Sequence, residues 1–188
     1  MNTYVPRKHS SNGPVYLRPL KEEDFTERYL AWFRDTEVTR FLDARNITRE
    51  DAVQNLRSGQ KDNAWYLFAI CEAENDRHIG NLKIGPIHWR HSTSDLVTVL
   101  GERDSWGKGY AREAIKIGMK IACKELNIRK LSASIDSLNI GSIKAYTAAG
   151  FAVETSLKDQ FMDISSGTPV LSDKVFIAYF NPNFAVKK

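Results

Sequence analysis

Apolar positions come in short strand-like runs near both ends of the chain and at helical spacing between them. Residues 15–20, Val-Tyr-Leu-Arg-Pro-Leu, read as a short strand after Pro14, and Lys21-Glu22-Glu23-Asp24 as an acidic helix start. Phe25, Tyr29, Leu30 and Phe33 recur at helical spacing and predict a buried stripe. A second helical piece is expected at 38–42. Thr48-Arg49-Glu50-Asp51 has the spacing of a capping box that opens a third helix, with Ala52, Val53 and Leu56 on its inner face. Residues 65–71 carry the aromatic and β-branched content of a central strand, 74–77 a polar turn, and 78–87 the hairpin partner. Pro86 offers no N–H to the ladder and is expected to end regular pairing. Residues 95–100 form the next strand and complete an antiparallel meander.

Beyond a glycine-rich stretch, Ala111, Ala114, Ile115, Gly118, Ile121 and Ala122 recur at three and four residues, the pattern of an amphipathic helix on a sheet. Residues 131–135 alternate as a strand, 139–149 read as a helix ended by Gly150, and 151–155 and 175–180 supply two late strands. Residues 159–173 form an interface or a lid, and no residue pattern there decides between them. The chain divides into an arm at 1–14, expected to be flexible, one domain at 15–182 and a tail at 183–188.

At 188 residues the chain is long enough to bury a core without disulfides or a structural metal. Its apolar runs fall well short of the roughly 20 residues that cross a bilayer, so no membrane association is expected. The first residues lack an apolar signal core, and a cytoplasmic location follows as the default. The net charge of +4 owes part of its value to Arg7, Lys8, Lys187 and Lys188 at the ends. No basic stripe with interleaved aromatics stands out, so nucleic acid is not an expected partner. Cys71 and Cys123 read as reduced thiols in or near the core. His88 and His91 lack an accompanying cysteine or acidic ligand set, so no metal is expected.

The segment 95–113 joins a strand, a glycine-rich turn and a helix start. Gly107 and Gly109 allow unusual torsions and close backbone approach, and the unpaired N–H groups of the following helix point where a pyrophosphate could sit. The spacing is not a P-loop, because Gly101 and Gly107 enclose five residues and Gly109 follows Lys108. It is not a dinucleotide fingerprint either, since Arg112 stands where a third Gly or Ala is needed.

Trp106-Gly107-Lys108-Gly109-Tyr110-Ala111 resembles the acyl-CoA cradle of the GNAT N-acetyltransferase superfamily in all but its first position, where Trp106 replaces the commoner Gln or Arg. Asn139, Tyr146, Gly150 and Phe151 match a second stretch of that family in type and spacing. The likeness spans roughly residues 15–180. It is nearest to the branch holding ribosomal-protein N-terminal acetyltransferases and bacterial aminosugar acetyltransferases. It implies an α/β (α+β) GNAT acyl-CoA N-acyltransferase fold: a mixed, mostly antiparallel twisted sheet with a central splay and flanking helices.

The resemblance also implies acetyl-CoA as co-substrate, with no metal, and a direct transfer to a primary amine. Val99 and Gly101 are the candidates for backbone contacts with pantetheine in the splay. Trp106, Gly107, Lys108, Gly109, Tyr110 and Ala111 are those for the pyrophosphate, with Lys108 as a mobile point charge. Asn139 either bonds the pantetheine amides or caps its helix.

Tyr146 resembles the family's general acid; a phenol near pKa 10 donates to a thiolate near 8.5 at a cost of about 2 kcal/mol, which the site must offset. Asp95 resembles the strand-borne base, with His88 and His91 as alternatives. Trp32, Arg40 and Phe41 are candidate acceptor-side residues, each with a structural alternative. The expected acceptor is a small amine such as a nucleotide-linked aminosugar, with Arg40, Arg45 and Arg90 as candidate cations for its phosphates. A protein N-terminus is the alternative, polyamines and aminoglycosides stay open, and a non-catalytic acyl-CoA sensor belongs to another class. Dimers are common among proteins of this resemblance.

Overall fold

The computed structural model describes residues 4–10, 12–163 and 168–185. Its eight strands are β1 (His9–Ser10), β2 (Val15–Pro19), β3 (Tyr66–Glu72), β4 (His78–His88), β5 (Thr93–Leu100), β6 (Lys130–Asp136), β7 (Ala152–Asp163) and β8 (Val170–Phe180). They form one sheet in the order β1-β2-β3-β4-β5-β6-β8-β7. All neighbours are antiparallel except β5 and β6, which run parallel. Five α-helices flank the sheet: α1 (Glu27–Trp32), α2 (Thr36–Thr39), α3 (Arg49–Asp62), α4 (Tyr110–Lys120) and α5 (Ile140–Ala149).

Each sheet face has its own apolar core. One gathers Phe68, Ile70, Leu82, Leu96, Ile115 and Leu131 between the central strands and α4; the other gathers Phe25, Tyr29, Leu30, Trp32, Phe33 and Leu56 from the early helices over Ala69 and Cys71. Strand β3 lies between them, so its residues are apolar on both faces and do not alternate with polar ones. Each buried large side chain contributes on the order of 1.5–3 kcal/mol. The stripe of Phe25, Tyr29, Leu30 and Phe33 is buried as its spacing implies. The capping box at Thr48 forms in both directions: its hydroxyl accepts from the Asp51 N–H at 3.1 Å, and the Asp51 carboxylate accepts from the Thr48 N–H at 2.9 Å. Cys71 and Cys123 are free thiols, the first buried in the early-helix core and the second packed against the core under α4.

Three expectations shift. Pro86 interrupts pairing without ending it: the register slips between Ile84 and Ile87, and Ile87 and His88 then pair with Ser94 and Thr93. Ile87 turns its N–H to Ala64 O at 2.7 Å, so the bulge leaves that donor satisfied. The late hairpin is far longer than expected, because β7 and β8 run through most of 159–173, with 164–167 outside the described residues. Strand β7 is exposed along most of its length and charge-containing, and it lacks the apolar alternation that marks a half-buried strand. Part of the arm at 1–14 is structured: His9 and Ser10 pair with Leu17 and Tyr16, and Tyr4 meets the Tyr66 ring edge-on at 4.9 Å. In the tail, Asn127 donates to Ala185 O at 3.2 Å; Lys187 and Lys188 lie outside the described residues.

Helix α4 is seated on the sheet at Gly118, where an added Cβ would stand 2.8 and 3.0 Å from the Leu82 δ-carbons and 3.2 Å from Leu96 Cδ1. Leu82 and Leu96 are fully buried and have little room to yield. Gly118→Val is expected to lower stability by about 1–3 kcal/mol through overpacking, as read from urea unfolding midpoints at unchanged slope.

Candidate active site

Strands β5 and β6 pair at three positions only, Thr93 with Lys130, Ser94 with Leu131 and Asp95 with Ser132. Beyond Asp95 they part, and β5 continues alone beside β4 to Leu100. Backbone polar groups that face the gap have lost their ladder partners and must find others. Two carbonyls find side chains. The Tyr146 hydroxyl donates to Leu96 O at 2.7 Å and lies 3.4 Å from Thr98 Oγ1, while the Trp106 indole N–H donates to Leu100 O at 3.0 Å. Tyr146 is set there by α5, which Asn139 opens by accepting from the Ser142 N–H at 3.1 Å and which Gly150 closes at φ 115°. Phe151 meets the Tyr146 ring edge-on at 5.1 Å and fixes its tilt.

These contacts move the gap-facing register by one residue. Successive strand residues turn their backbone groups to opposite neighbours, so Leu96, Thr98 and Leu100 face the gap while Val99 and Gly101 face β4. The Gly101 N–H is already bonded to Ile79 O at 2.9 Å. Asn139 acts as the helix cap. Trp32 is buried as a structural residue: its ring lies so close to Gly101 that a Cβ there would overlap the indole, and its N–H donates to Glu102 at 2.7 Å.

The glycine-rich turn has the torsions its sequence implies, with Gly107 at φ 75° and Gly109 at φ 79°. Gly109 precedes the first turn of α4, whose leading N–H groups have no carbonyl one helical turn back; Glu113 N–H, onto Gly109 O at 3.2 Å, is the first to make that bond. Trp106, Gly107, Lys108 and Gly109 are exposed, and Tyr110 and Ala111 half-buried. Ahead of this turn, a short 3-10 turn at Arg103–Ser105 is fastened on two sides. Glu102 holds it to α1 through Trp32 and through Arg28, whose Nε donates at 2.8 Å. Arg77 holds it to the β3–β4 hairpin, donating to both Asp104 oxygens at 2.8 and 3.0 Å and to Ser105 Oγ at 3.1 Å. A cleft of about 520 Å³ opens beside it, lined in part by Glu72, Arg77, Lys108 and Tyr110.

Asp95 and Tyr146 flank the point where the strands part. Asp95 projects from the sheet face opposite Leu96. Lost hydration raises its carboxyl above the ordinary range although the side chain reaches solvent, and the charges of His88, Lys83 and Lys174 partly offset that rise. Burial pushes the Tyr146 phenol up and Thr98 opposes it, so the group is protonated throughout the working pH range. Lys83 neighbours Asp95 diagonally across β4 and β5; burial lowers its ammonium, against the pull of Asp95. Lys174 stands over the rings of Phe161 and Phe176, 5.7 and 5.4 Å from their centroids. His88, His91, Arg40, Arg45 and Arg90 are exposed, and Phe41 is half-buried beneath the Arg40 guanidinium at 5.1 Å. Among the described residues no group of three or more His, Cys, Asp and Glu gathers as a metal site, and no helix is long and apolar enough to cross a membrane.

The fastenings at Glu102 and Arg77 escaped the sequence reading. Each joins residues tens of positions apart, and the one local signal is the acidic pair Glu102 and Asp104 just before the glycines.

Comparison with known proteins agrees with this geometry. The family described as an acetyltransferase (GNAT) domain matches residues 15–152. An uncharacterised N-acetyltransferase, p20, of Bacillus licheniformis is 26% identical over 147 residues, covering 76% of this chain and 82% of that protein. Spermidine N(1)-acetyltransferase of Escherichia coli (strain K12) is 27% identical over 160 residues, 84% of this chain and 81% of the relative. Spermidine N-acetyltransferase from Vibrio cholerae, solved with CoA and spermine, has the same fold at a TM-score of 0.79, with 18% identity, 92% of this chain and 99% of that one covered. Ribosomal-protein-S5-alanine acetyltransferase from Vibrio fischeri follows at 0.75, also with 18% identity, covering 94% and 98%.

Glu102→Ala strips the buried Trp32 N–H of its acceptor and frees Arg28. A loss of about 1–3 kcal/mol in unfolding free energy is expected, measured by chemical denaturation.

Proposed function

The chain belongs to the GNAT acetyltransferase family and is an N-acetyltransferase, and from that premise we propose that it passes acetyl from acetyl-CoA directly to the primary amine of a small molecule, with a nucleotide-linked aminosugar as the favoured acceptor. One observation carries the reading: the strands part after Asp95, with a phenol on Leu96 O inside the gap and a carboxylate on the opposite sheet face. GNAT acetyltransferases use acetyl-CoA, and the residues present suit it. The leading N–H groups of α4, after two glycines at positive φ, offer donors to a pyrophosphate, and Lys108 adds a cation from the cleft side. The gap-facing carbonyl of Thr98, between two carbonyls already bonded by side chains, suits the N–H of a pantetheine amide.

In this reading Asp95 removes the proton from the incoming ammonium, directly or through a water, and the neutral amine attacks the thioester carbonyl. The C–N bond forms as the C–S bond breaks. Tyr146 gives its proton to the departing sulfur and releases Leu96 O as it does so; the second proton on the attacking nitrogen then leaves and restores the phenol, so that only the proton held by Asp95 passes to solvent. A buried phenol is a reluctant acid, so its transfer coincides with the build-up of negative charge on sulfur. The raised carboxyl of Asp95 makes it a better base than an ordinary aspartate while leaving it ionised above that raised value.

Support for the acceptor comes from charge. Two lysines, Lys83 and Lys174, bear on the single carboxylate of Asp95. Such surroundings favour an amine that also carries phosphate over a polycation. The likeness to a spermidine N(1)-acetyltransferase over 84% of this chain favours a polyamine as the second reading.

The test follows CoA-thiol release with nucleotide-linked aminosugars, spermidine and short basic peptides. Turnover is expected on the sugar amines; turnover confined to spermidine or to peptides would sink this acceptor assignment. Tyr146→Phe is expected to lower kcat by roughly 10²–10⁴-fold at similar acetyl-CoA affinity. Asp95→Asn should lower kcat/KM and remove the acidic limb of the pH–rate profile, since the base is active only above its raised pKa. Gly109→Ala forces a side chain into left-handed torsions at a cost of about 1–2 kcal/mol. It should therefore lower unfolding free energy by that amount and, as the turn relaxes to relieve the strain, raise KM for acetyl-CoA with little change in kcat.

A further inference from the structure

We infer that Arg77 is a positioning residue for the cofactor cradle: it clamps the 3-10 turn ahead of Trp106 to the β3–β4 hairpin and so sets the direction of the N–H groups that follow. The inference rests on the reading of residues 106–111 as the CoA cradle.

Gly107 and Gly109 cannot set that direction themselves. Glycine takes many torsions at little cost, and no atom lies within 4 Å of where a Gly107 side chain would begin. The orientation must come from what is fastened on either side. Behind lies α4, seated at Gly118. Ahead lies the turn at Arg103–Ser105, where Arg77 spends its guanidinium on three partners: Asp104 by two bonds, the fully buried Ser105 by its hydroxyl, and Glu72 at 3.1 and 3.3 Å. Glu72 is itself gripped by Asn75 at 2.9 Å, so the clamp ends on a fixed point of the hairpin.

Charge adds a second reason. Arg77 neutralises two carboxylates, Glu72 and Asp104, that stand beside Lys108 and next to the proposed pyrophosphate position. Bonds from Arg77 hold the Asp104 carboxyl below its ordinary range; at Glu72 burial works upward, and the bonds from Asn75 and Arg77 outweigh it. Without the guanidinium, both negative charges would compete with the ligand for Lys108. A planar fork with five donors can serve two carboxylates and a hydroxyl at once, whereas an ammonium cannot hold that arrangement.

The experiment is calorimetric titration of the full chain with CoA, which needs no knowledge of the amine. Arg77→Ala is expected to bind CoA roughly tenfold more weakly. Arg77→Lys should recover only part of the loss. Asp104→Asn loosens the clamp but also removes a charge that competes for Lys108, so it should weaken binding by less than Arg77→Ala does, and its combination with Arg77→Ala should bind no more weakly than Arg77→Ala alone. Arg18→Met breaks an ion pair as short, 2.7 Å to Asp24, but away from the cradle, and should stay within twofold of wild type.

Thermal melting confirms that each variant is folded. Should Arg77→Ala fail to fold, Asp104→Asn carries the test, because that side chain is mostly exposed. Wild-type affinity in folded Arg77→Ala or Asp104→Asn, full recovery in Arg77→Lys, or an equal loss in Arg18→Met would each overturn the inference. A wild-type chain that fails to bind CoA at all would overturn the cradle reading beneath it, which is a separate and distinguishable result.

Discussion

A backbone N–H or C=O buried without a partner costs free energy comparable to a lost hydrogen bond, and the middle of this sheet is built around that constraint. Three pairs join β5 to β6, and then the ladder stops. From there the protein has two ways to satisfy the orphaned edge: its own side chains or a ligand. Tyr146 and Trp106 take the carbonyls of Leu96 and Leu100, one from inside the gap and one from its mouth. Between them the backbone of Thr98 also meets the Tyr146 hydroxyl, which leaves its carbonyl facing the gap. The residue proposed as proton donor is thus also a plug in the sheet. The same phenol that satisfies a carbonyl at rest is the one proposed to protonate a leaving group.

The second theme is that loop geometry here is borrowed. The glycines at 107 and 109 permit a cradle but do not impose one, and the fastening residues come from distant parts of the chain. Glu102 reaches α1 and Arg77 reaches from the β3–β4 hairpin. Because Trp32 also lies on Gly101, the helix that walls one face of the sheet and the turn that leads to the cradle on the other are packed as one body. The β3–β4 hairpin joins that body through Glu72.

What was legible in the chain follows from this division. Periodicity and caps are local, so the stripe of Phe25 to Phe33, the box at Thr48 and the amphipathic face of α4 could be read directly. The two glycine-bearing motifs point to the family by themselves. Register was not legible. Whether Val99 or Thr98 faces the gap depends on where β4 stands, and a shift of one residue reverses every backbone group. Trp32 was open between an acceptor-side and a structural role, because it lies in the early helices that the resemblance places beside the acceptor; its burial depends on the absence of a side chain at Gly101, sixty-nine positions away by the numbering. The two late strands were legible at 151–155 and 175–180, but their extension through 159–173 was not, because β7 is exposed along most of its length and carries no hydrophobic alternation to detect.

That hairpin has a bearing on how the protein lives among its copies. Strand β7 lies at the sheet's rim for 12 residues and shows its outer backbone to solvent. An uninterrupted rim of that length invites a neighbour's strand to add on, and from there to stacks of chains. Two register slips break it, one after Val153 and one after Leu157, with Asp159 at φ 53° bending the second. Lys158 and Asp159 sit at that bend. The irregularities that hid the strand from pattern reading are the ones that keep it from becoming a template.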